Sequence, residues 1–451
     1  MTFSALTIRV ASADSAPTVS VAPVSLALVV GQSQLFTATA SGGSGSYTGY
    51  QWYVNGVSQS GATASTFSFA PASAGSYSVT VTVTDSSGST SAQSNTASVT
   101  VYAAPTVTAT IICGGGPEGV AVTPNGAYAY VADWGSMGPT FVKVISTATN
   151  TVTASILVGN AVEGVAVTPN GAYAYATNTG SGTVSVISTA TNTVTATIPV
   201  GSDPEGVAVT PNGAYAYVTN YGSNSVSVIS TATNTVTSTV TVGNNPQSVA
   251  VMPNGAYAYV TNEGSGTVSV ISTATNTVTA TINVGTKPVG VAVTPNGEYA
   301  YVANLGSGTV SVISTATNTV TATISVGNYP QGVAITPDGA FAYVTNGVMG
   351  VDGTVSVIST SSNTVIATIP VGMCPGGVAV TPNGAYAYVT SYGYATVSVI
   401  STGDPIVTPS NYVPEVPIGT IAAIATLLLA LLGYLYMPKW KLKRARATAQ
   451  S

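Results

Sequence analysis

Apolar and polar positions along this chain alternate with a period of two, in short runs broken by Gly, Pro, Asn and Ser. Val226 to Ser230 and Thr235 to Val240 show the pattern, as do Ser33 to Ala38, Gln51 to Val54 and Ser76 to Thr84 nearer the N-terminus. Such alternation predicts half-buried strands, because successive side chains on a strand point to opposite faces. No amphipathic helical pattern competes with it. One segment departs from the rule: Ile418 to Tyr436 is an uncharged run of nineteen residues, long enough as a helix, at about 28 Å, to cross a bilayer core.

The alternation is itself periodic. The string TPNG, or a close variant, places prolines at Pro124, Pro169, Pro211, Pro253, Pro295, Pro337 and Pro382, with spacings of 45, 42, 42, 42, 42 and 45 residues. Each of the seven copies reads as four short strands, for example Val207 to Thr210, Tyr215 to Thr219, Val226 to Ser230 and Thr235 to Val240, which is the size of one propeller blade. In Thr-Pro-Asn-Gly, Pro presets φ and Gly accepts the left-handed position, so a tight hairpin joins the first two strands. In the second strand, Ala-Tyr-Ala-Tyr gives each sheet large and small residues that can pack against a neighbour. A copy of the fourth strand, Thr106 to Ile111, precedes the first TPNG, and no fourth strand follows Ile400. Pairing these two leftovers closes a ring and removes two open edges.

The expected class is therefore all-β: a β-sandwich followed by a seven-bladed β-propeller and a single C-terminal transmembrane helix. The domains fall at 1–16 (remnant of an export signal, with Ala11-Ser12-Ala13 as a cleavage-like site), 17–102 (sandwich) and 105–402 (propeller closed by 106–111). A Pro-rich stalk at 403–417, the helix at 418–437 and a basic tail at 438–451 follow. Lys439, Lys441, Lys443, Arg444 and Arg446 cluster behind the apolar run, and positive charge stays inside, so the bulk of the chain is expected outside the cell.

Charge narrows the function. Only 5% of residues are charged, and up to Pro417 three basic residues face thirteen acidic ones, a net of minus ten. Such a surface repels nucleic acid and suits cations or basic partners. There is no histidine, which removes the commonest general base and metal ligand; no catalytic residues are assigned and the chain is read as a non-enzyme. Two cysteines, Cys113 and Cys374, match no metal-ligand spacing. Both fall near the seam of the ring, where a disulfide could lock the closure or two free thiols could stand. No Asn-X-Ser/Thr sequon occurs, so N-glycosylation is not expected.

Loops on one face of the predicted disk are nearly identical in every copy (TPNGA, STATNT), whereas the other face carries the variation, including insertions in Asp133 to Phe141 and Asn346 to Gly353. Six residues before each TPNG proline stand Glu118, Glu163, Glu205, Gln247, Val289, Gln331 and Gly376. Three successive copies thus present carboxylates at the mouth of a central channel, where calcium or a cationic ligand group could be held. The same arc could equally be a solvated rim. Trp134, Tyr221, Tyr329, Tyr392 and Tyr394 gather on this face and could stack on a glycan or anchor a partner protein.

Three resemblances add to this reading. The copies of Tyr217-Val218-Thr219-Asn220, Tyr259-Val260-Thr261-Asn262 and Tyr343-Val344-Thr345-Asn346 make 105–402 resemble the YVTN family of β-propellers, found in archaeal surface-layer and related proteins. Trp52 and the stretch Ala74 to Val79 resemble the core Trp and tyrosine corner of Ig-like or PKD-like domains, with Val79 where a second cysteine would stand. Val413 to Thr420, with the apolar run and basic tail, resembles PEF-type sorting signals that an archaeosortase exchanges for a lipid anchor, although Val416 replaces the usual Phe. A plain single-pass anchor is the other reading. Together they imply a cell-surface binding, adhesion or envelope protein on a membrane-anchored stalk, binding a glycan or an envelope protein. A lattice component that self-associates is the alternative, and a propeller enzyme a distant third.

Overall fold

The computed structural model describes residues 15–135, 140–347 and 350–403. The expected export signal, stalk, apolar helix and basic tail lie outside the described residues. Among the described residues no helix is long and apolar enough to cross a membrane.

The N-terminal domain packs a three-stranded sheet on a five-stranded one. Its strands outrun the alternating segments that mark them: Gln34–Ser41, Tyr47–Val54 and Gly75–Asp85. Phe36, Trp52, Phe69, Val79 and Val81 fill the space between the sheets, and the Trp52 indole N–H donates to Ala64 O at 2.9 Å. The Tyr77 hydroxyl donates back to Ser73 O at 2.9 Å, the tyrosine-corner bond that pins the strand entry. Asp85 collects the Ser44, Ser87 and Ser89 amides and the Ser87 hydroxyl. These donors hold its carboxyl down at about 2.

Seven four-stranded antiparallel sheets follow. The third comprises Pro204–Val209, Tyr215–Asn220, Ser225–Ser230 and Thr235–Thr241. Their innermost strands pack side by side in order, and the first packs against the seventh, which makes a closed ring. The seventh sheet takes its outer strand from ahead of the first: Thr106–Ile112 runs antiparallel to Thr396–Ser401, with Ser401 opposite Thr106 and Thr396 opposite Ile112.

Each residue of the Tyr-Val-Thr-Asn string has a separate job. The Tyr packs on small residues of the next sheet: Tyr217 lies with Ala258 and Val260, and Tyr175 with Ala216 and Val218. Its hydroxyl then donates to the asparagine of the next sheet's STATNT turn, as from Tyr217 to Asn276 at 2.7 Å and from Tyr259 to Asn318 at 2.8 Å. Tyr388 of the last sheet reaches Asn150 of the first at 2.8 Å. The Thr hydroxyl ties neighbouring inner strands, Thr219 to Gln247 O at 2.9 Å and Thr390 to Glu118 O at 2.6 Å. The Asn stays within its own sheet, where Asn220 accepts from Gly201 N and donates to Ser225 and Ser227. Each such bond contributes about 1 kcal/mol, and their repetition around the ring couples the sheets.

Candidate functional site

The inner strands begin earlier than their alternation indicates, at Pro117, Val162 and Pro204, and each opens with a register shift before settling into its ladder. The extra residue of this bulge turns the second side chain of the strand off the regular pairing direction. Glu118, Glu163 and Glu205 occupy that place. The glycines that follow let the strands converge: a Cβ on Gly119 or Gly164 would come within 2.4 or 2.3 Å of the next sheet's carbonyl oxygen.

The three carboxyls act on one another. Burial, and then the charge of Glu163, pushes Glu118 up to about 8. Glu205 is also raised, first by burial and then by a hydrogen bond and charge repulsion from Glu163, with Asp203 and Glu118 adding to it. Its Oε2 is buried without a hydrogen-bond partner, while Thr179 donates to Glu163 Oε2 at 3.3 Å. At neutral pH Glu118 therefore carries its proton most of the time, and the arc is less negative than the formal count suggests. Gln247 and Gln331 continue the circle; Val289 and Gly376 interrupt it. Among the described residues no three His, Cys, Asp or Glu side chains converge as ligands for a metal ion.

Replacing Glu118 by Gln tests this burial. A carboxyl raised in the folded state stabilises fully below its unfolded value of 4.5, and that contribution is lost as pH rises through about 8. Glu118→Gln has nothing to titrate, so its stability profile should be flatter over that range. At pH 8 it should exceed the parent by about 2 kcal/mol, after discounting for partial exposure. Parallel pH profiles in chemical denaturation would show that Glu118 is solvated.

The aromatic residues divide into groups. Trp134 and Tyr392 meet across the seam between the first and seventh sheets, their ring centroids 5.9 Å apart at 44°. Gly116 makes the contact possible, since a Cβ there would lie 2.4 Å from the Tyr392 ring. Tyr394 sits two residues on and donates to Asp352 at 2.6 Å. Tyr221 is apart from these, its ionisation held up first by burial and then by the Glu263 carboxylate. Tyr329 is 48% exposed.

The two cysteines are free thiols, so the disulfide considered for the seam is not formed. Cys113 is buried among Ile111, Val131, Ile145 and Val397, and burial pushes its thiol up to about 12. Cys374 occupies a different environment, in a turn with φ of 51°, where burial and then the charge of Glu118 push its thiol up. The seam is held by strand pairing and packing.

Sequence reasoning passed over Asp203, Lys287 and Glu263 on the same face, with Lys287 and Glu263 paired at 3.6 Å. For Asp203 and Lys287 the signal was present in the residue preceding each inner strand, which differs in every copy.

The fold and this face define a β-propeller preceded by a sandwich module. Residues 18–98 match the PKD domain family and residues 230–326 match the family described as lactonase, 7-bladed beta-propeller. Among solved structures the chain is similar to hydrazine synthase of Kuenenia stuttgartiensis at 25% identity and a TM-score of 0.57, over 64% of this chain and 96% of that one. No curated protein matches. These likenesses show a PKD domain at the N-terminus and a β-propeller after it, in the company of folds that also carry enzymes.

Proposed function

We propose that this chain is a binding protein of the cell envelope. In this reading the variable face of the propeller is the recognition surface, and the carboxyls at the channel mouth receive a cationic group of the ligand. One observation carries the reading: Glu118, Glu163 and Glu205 are crowded and partly buried together, with a buried Glu205 oxygen unpartnered. Such an arrangement is costly in an empty site and is relieved when a cation arrives. A cation entering the arc displaces protons from Glu118 and Glu205. The resemblance to YVTN surface proteins, the PEF-like segment and the apolar run with its basic tail support display outside the membrane, on a stalk.

Titration of the full chain at pH 7 with calcium and with spermidine tests the site. Binding should release protons, seen as a buffer-dependent calorimetric heat, and E118Q/E163Q/E205Q should weaken it at least tenfold. Equal affinity in parent and triple variant, or no binding of either probe, defeats the cation reading. Self-association that grows with concentration and ignores the triple variant would favour the lattice alternative.

A second reading has one observation in its favour. A carboxyl kept protonated near neutrality is what a general acid needs, and the lactonase match lends it a reaction class. Lactone hydrolysis by the parent that is abolished in Glu118→Gln would favour it over binding alone.

A further inference from the structure

Every sheet sends two loops to the variable face, and a backbone hydrogen bond fastens one residue of each loop to the other. Tyr221 N donates to Asp203 O at 2.8 Å, Glu263 N to Asn245 O at 2.9 Å and Leu305 N to Lys287 O at 2.9 Å, and the remaining sheets repeat the bond. Both residues of the pair change from copy to copy, and the accepting one differs in all seven.

In every sheet but the first, where Gly116 accepts, this residue lies in a left-handed conformation, with φ of 54° at Ala161, 50° at Asp203 and Lys287, 53° at Asn245 and Tyr329, and 51° at Cys374. Gly and Asn adopt this region at least cost, and bulky side chains strain it. The chain contains its own control on the opposite face. The STATNT turn needs the same conformation, and Asn150, Asn192, Asn234, Asn276, Asn318 and Asn363 supply it at 52 to 54°. Where only backbone shape matters, the repeat uses asparagine each time. On the variable face it keeps Lys, Tyr and Cys in spite of the strain, and strained positions of this kind cluster at functional sites.

We propose that these paired loop residues are the specificity-determining surface of the propeller, and that they fit a folded protein with a basic patch. The proposal rests on the reading that this face binds. Three observations point to the partner class. The pairs differ around the ring while the turns beneath them are alike, so they suit a partner without repeating chemistry and not a homopolymer. The face carries Glu118, Asp133, Glu163, Asp203, Glu205, Glu263 and Asp352 against Lys143 and Lys287. Both lysines are already engaged, Lys143 with Asp133 at 3.5 Å and Lys287 with Glu263 at 3.6 Å; burial holds Glu118 and Glu205 toward their neutral forms, so Glu163, Asp203 and Asp352 are the acidic groups left to meet basic ones. Finally, Trp134 and Tyr329 are 40% and 48% exposed, rigid aromatic anchors of the type protein-binding surfaces use.

The test pans a random dodecapeptide phage library against the full chain and measures the selected synthetic peptides on three proteins. Peptides rich in Lys and Arg should be enriched. Their affinity should fall at least tenfold in D203N/K287N/Y329N, whose melting temperature should equal or exceed the parent's because asparagine suits the conformation. Tyr329→Asn alone serves if the triple variant fails to fold. Equal affinity in the asparagine variant, enrichment of neutral or acidic peptides, or no enrichment overturns the proposal. Peptides that lose affinity in E118Q/E163Q/E205Q and not in the asparagine variant sink this inference and leave the cation reading standing; the reverse result sinks the cation reading alone.

Discussion

A chain shortened to begin at Cys113 is expected to lose cooperative folding of its propeller, whereas one beginning at Ala103 should keep it. The difference is the strand Thr106–Ile112. Without it, Thr396–Ser401 loses the ladder that now pairs every residue from Thr396 to Ser401, and two strand edges open to solvent. Ile111 also leaves a cluster containing Ala129, Val131, Tyr388 and Val399, and loss of a buried Ile alone costs about 2–5 kcal/mol. Ladder and core together reach the whole stability of an ordinary domain, roughly 5–15 kcal/mol. Moving residues 106–112 behind Ser401 through a Thr-Ala-Thr-Asn turn should restore the fold. Thermal unfolding of the three chains decides the matter, and cooperative unfolding of the Cys113 chain would show that ring closure does not depend on this strand.

That strand was legible because the repeat is strict enough to expose a missing part. Turn residues placed the hairpins, period-two alternation placed the strands, and the orphan TVTATI showed where the ends meet. The partners of individual side chains were not legible. Tyr217 and Asn276 lie 59 residues apart in different copies, and nothing local links them. The state of the carboxyls was hidden for a related reason: their burial comes from the convergence of neighbouring inner strands, so Glu118, Glu163 and Glu205 read as a charged arc when burial in fact keeps Glu118 protonated at neutral pH. The cysteines show the limit of placing residues by sheet alone. Both lie near the seam, yet one is buried in a hydrophobic cluster and the other sits half-buried in a left-handed turn.

The departures of the sixth copy from its siblings become intelligible only with the sandwich in place. Its turn reads TPDG, with Asp338 where the others have Asn; Phe341 replaces an exposed tyrosine; and Ile366 replaces a threonine. Phe341 is 2% exposed, against 38 to 42% for its counterparts Tyr128, Tyr173, Tyr215, Tyr257, Tyr299 and Tyr386. The Tyr102 ring stands edge-on to Phe341 at 4.6 Å, and its hydroxyl donates to Asp338 at 2.7 Å. Gln32 donates to Ile366 O at 3.1 Å, and Val29 and Tyr102 join the hydrophobic cluster of the sixth and seventh sheets. Three substitutions thus form one footprint, through which the sandwich is held on the sixth sheet. Tyr102→Ala should release it, at a cost of about 3 kcal/mol for a large buried aromatic, while both domains stay folded. The expected signs are two separate thermal transitions and rapid proteolysis at Ala103 to Pro105. Asp338→Asn, which keeps an acceptor for the Tyr102 hydroxyl, should change little. A Tyr102→Ala chain that melts in one transition and resists protease as the parent does would mean that the footprint is incidental packing and that the orientation of the sandwich is set elsewhere.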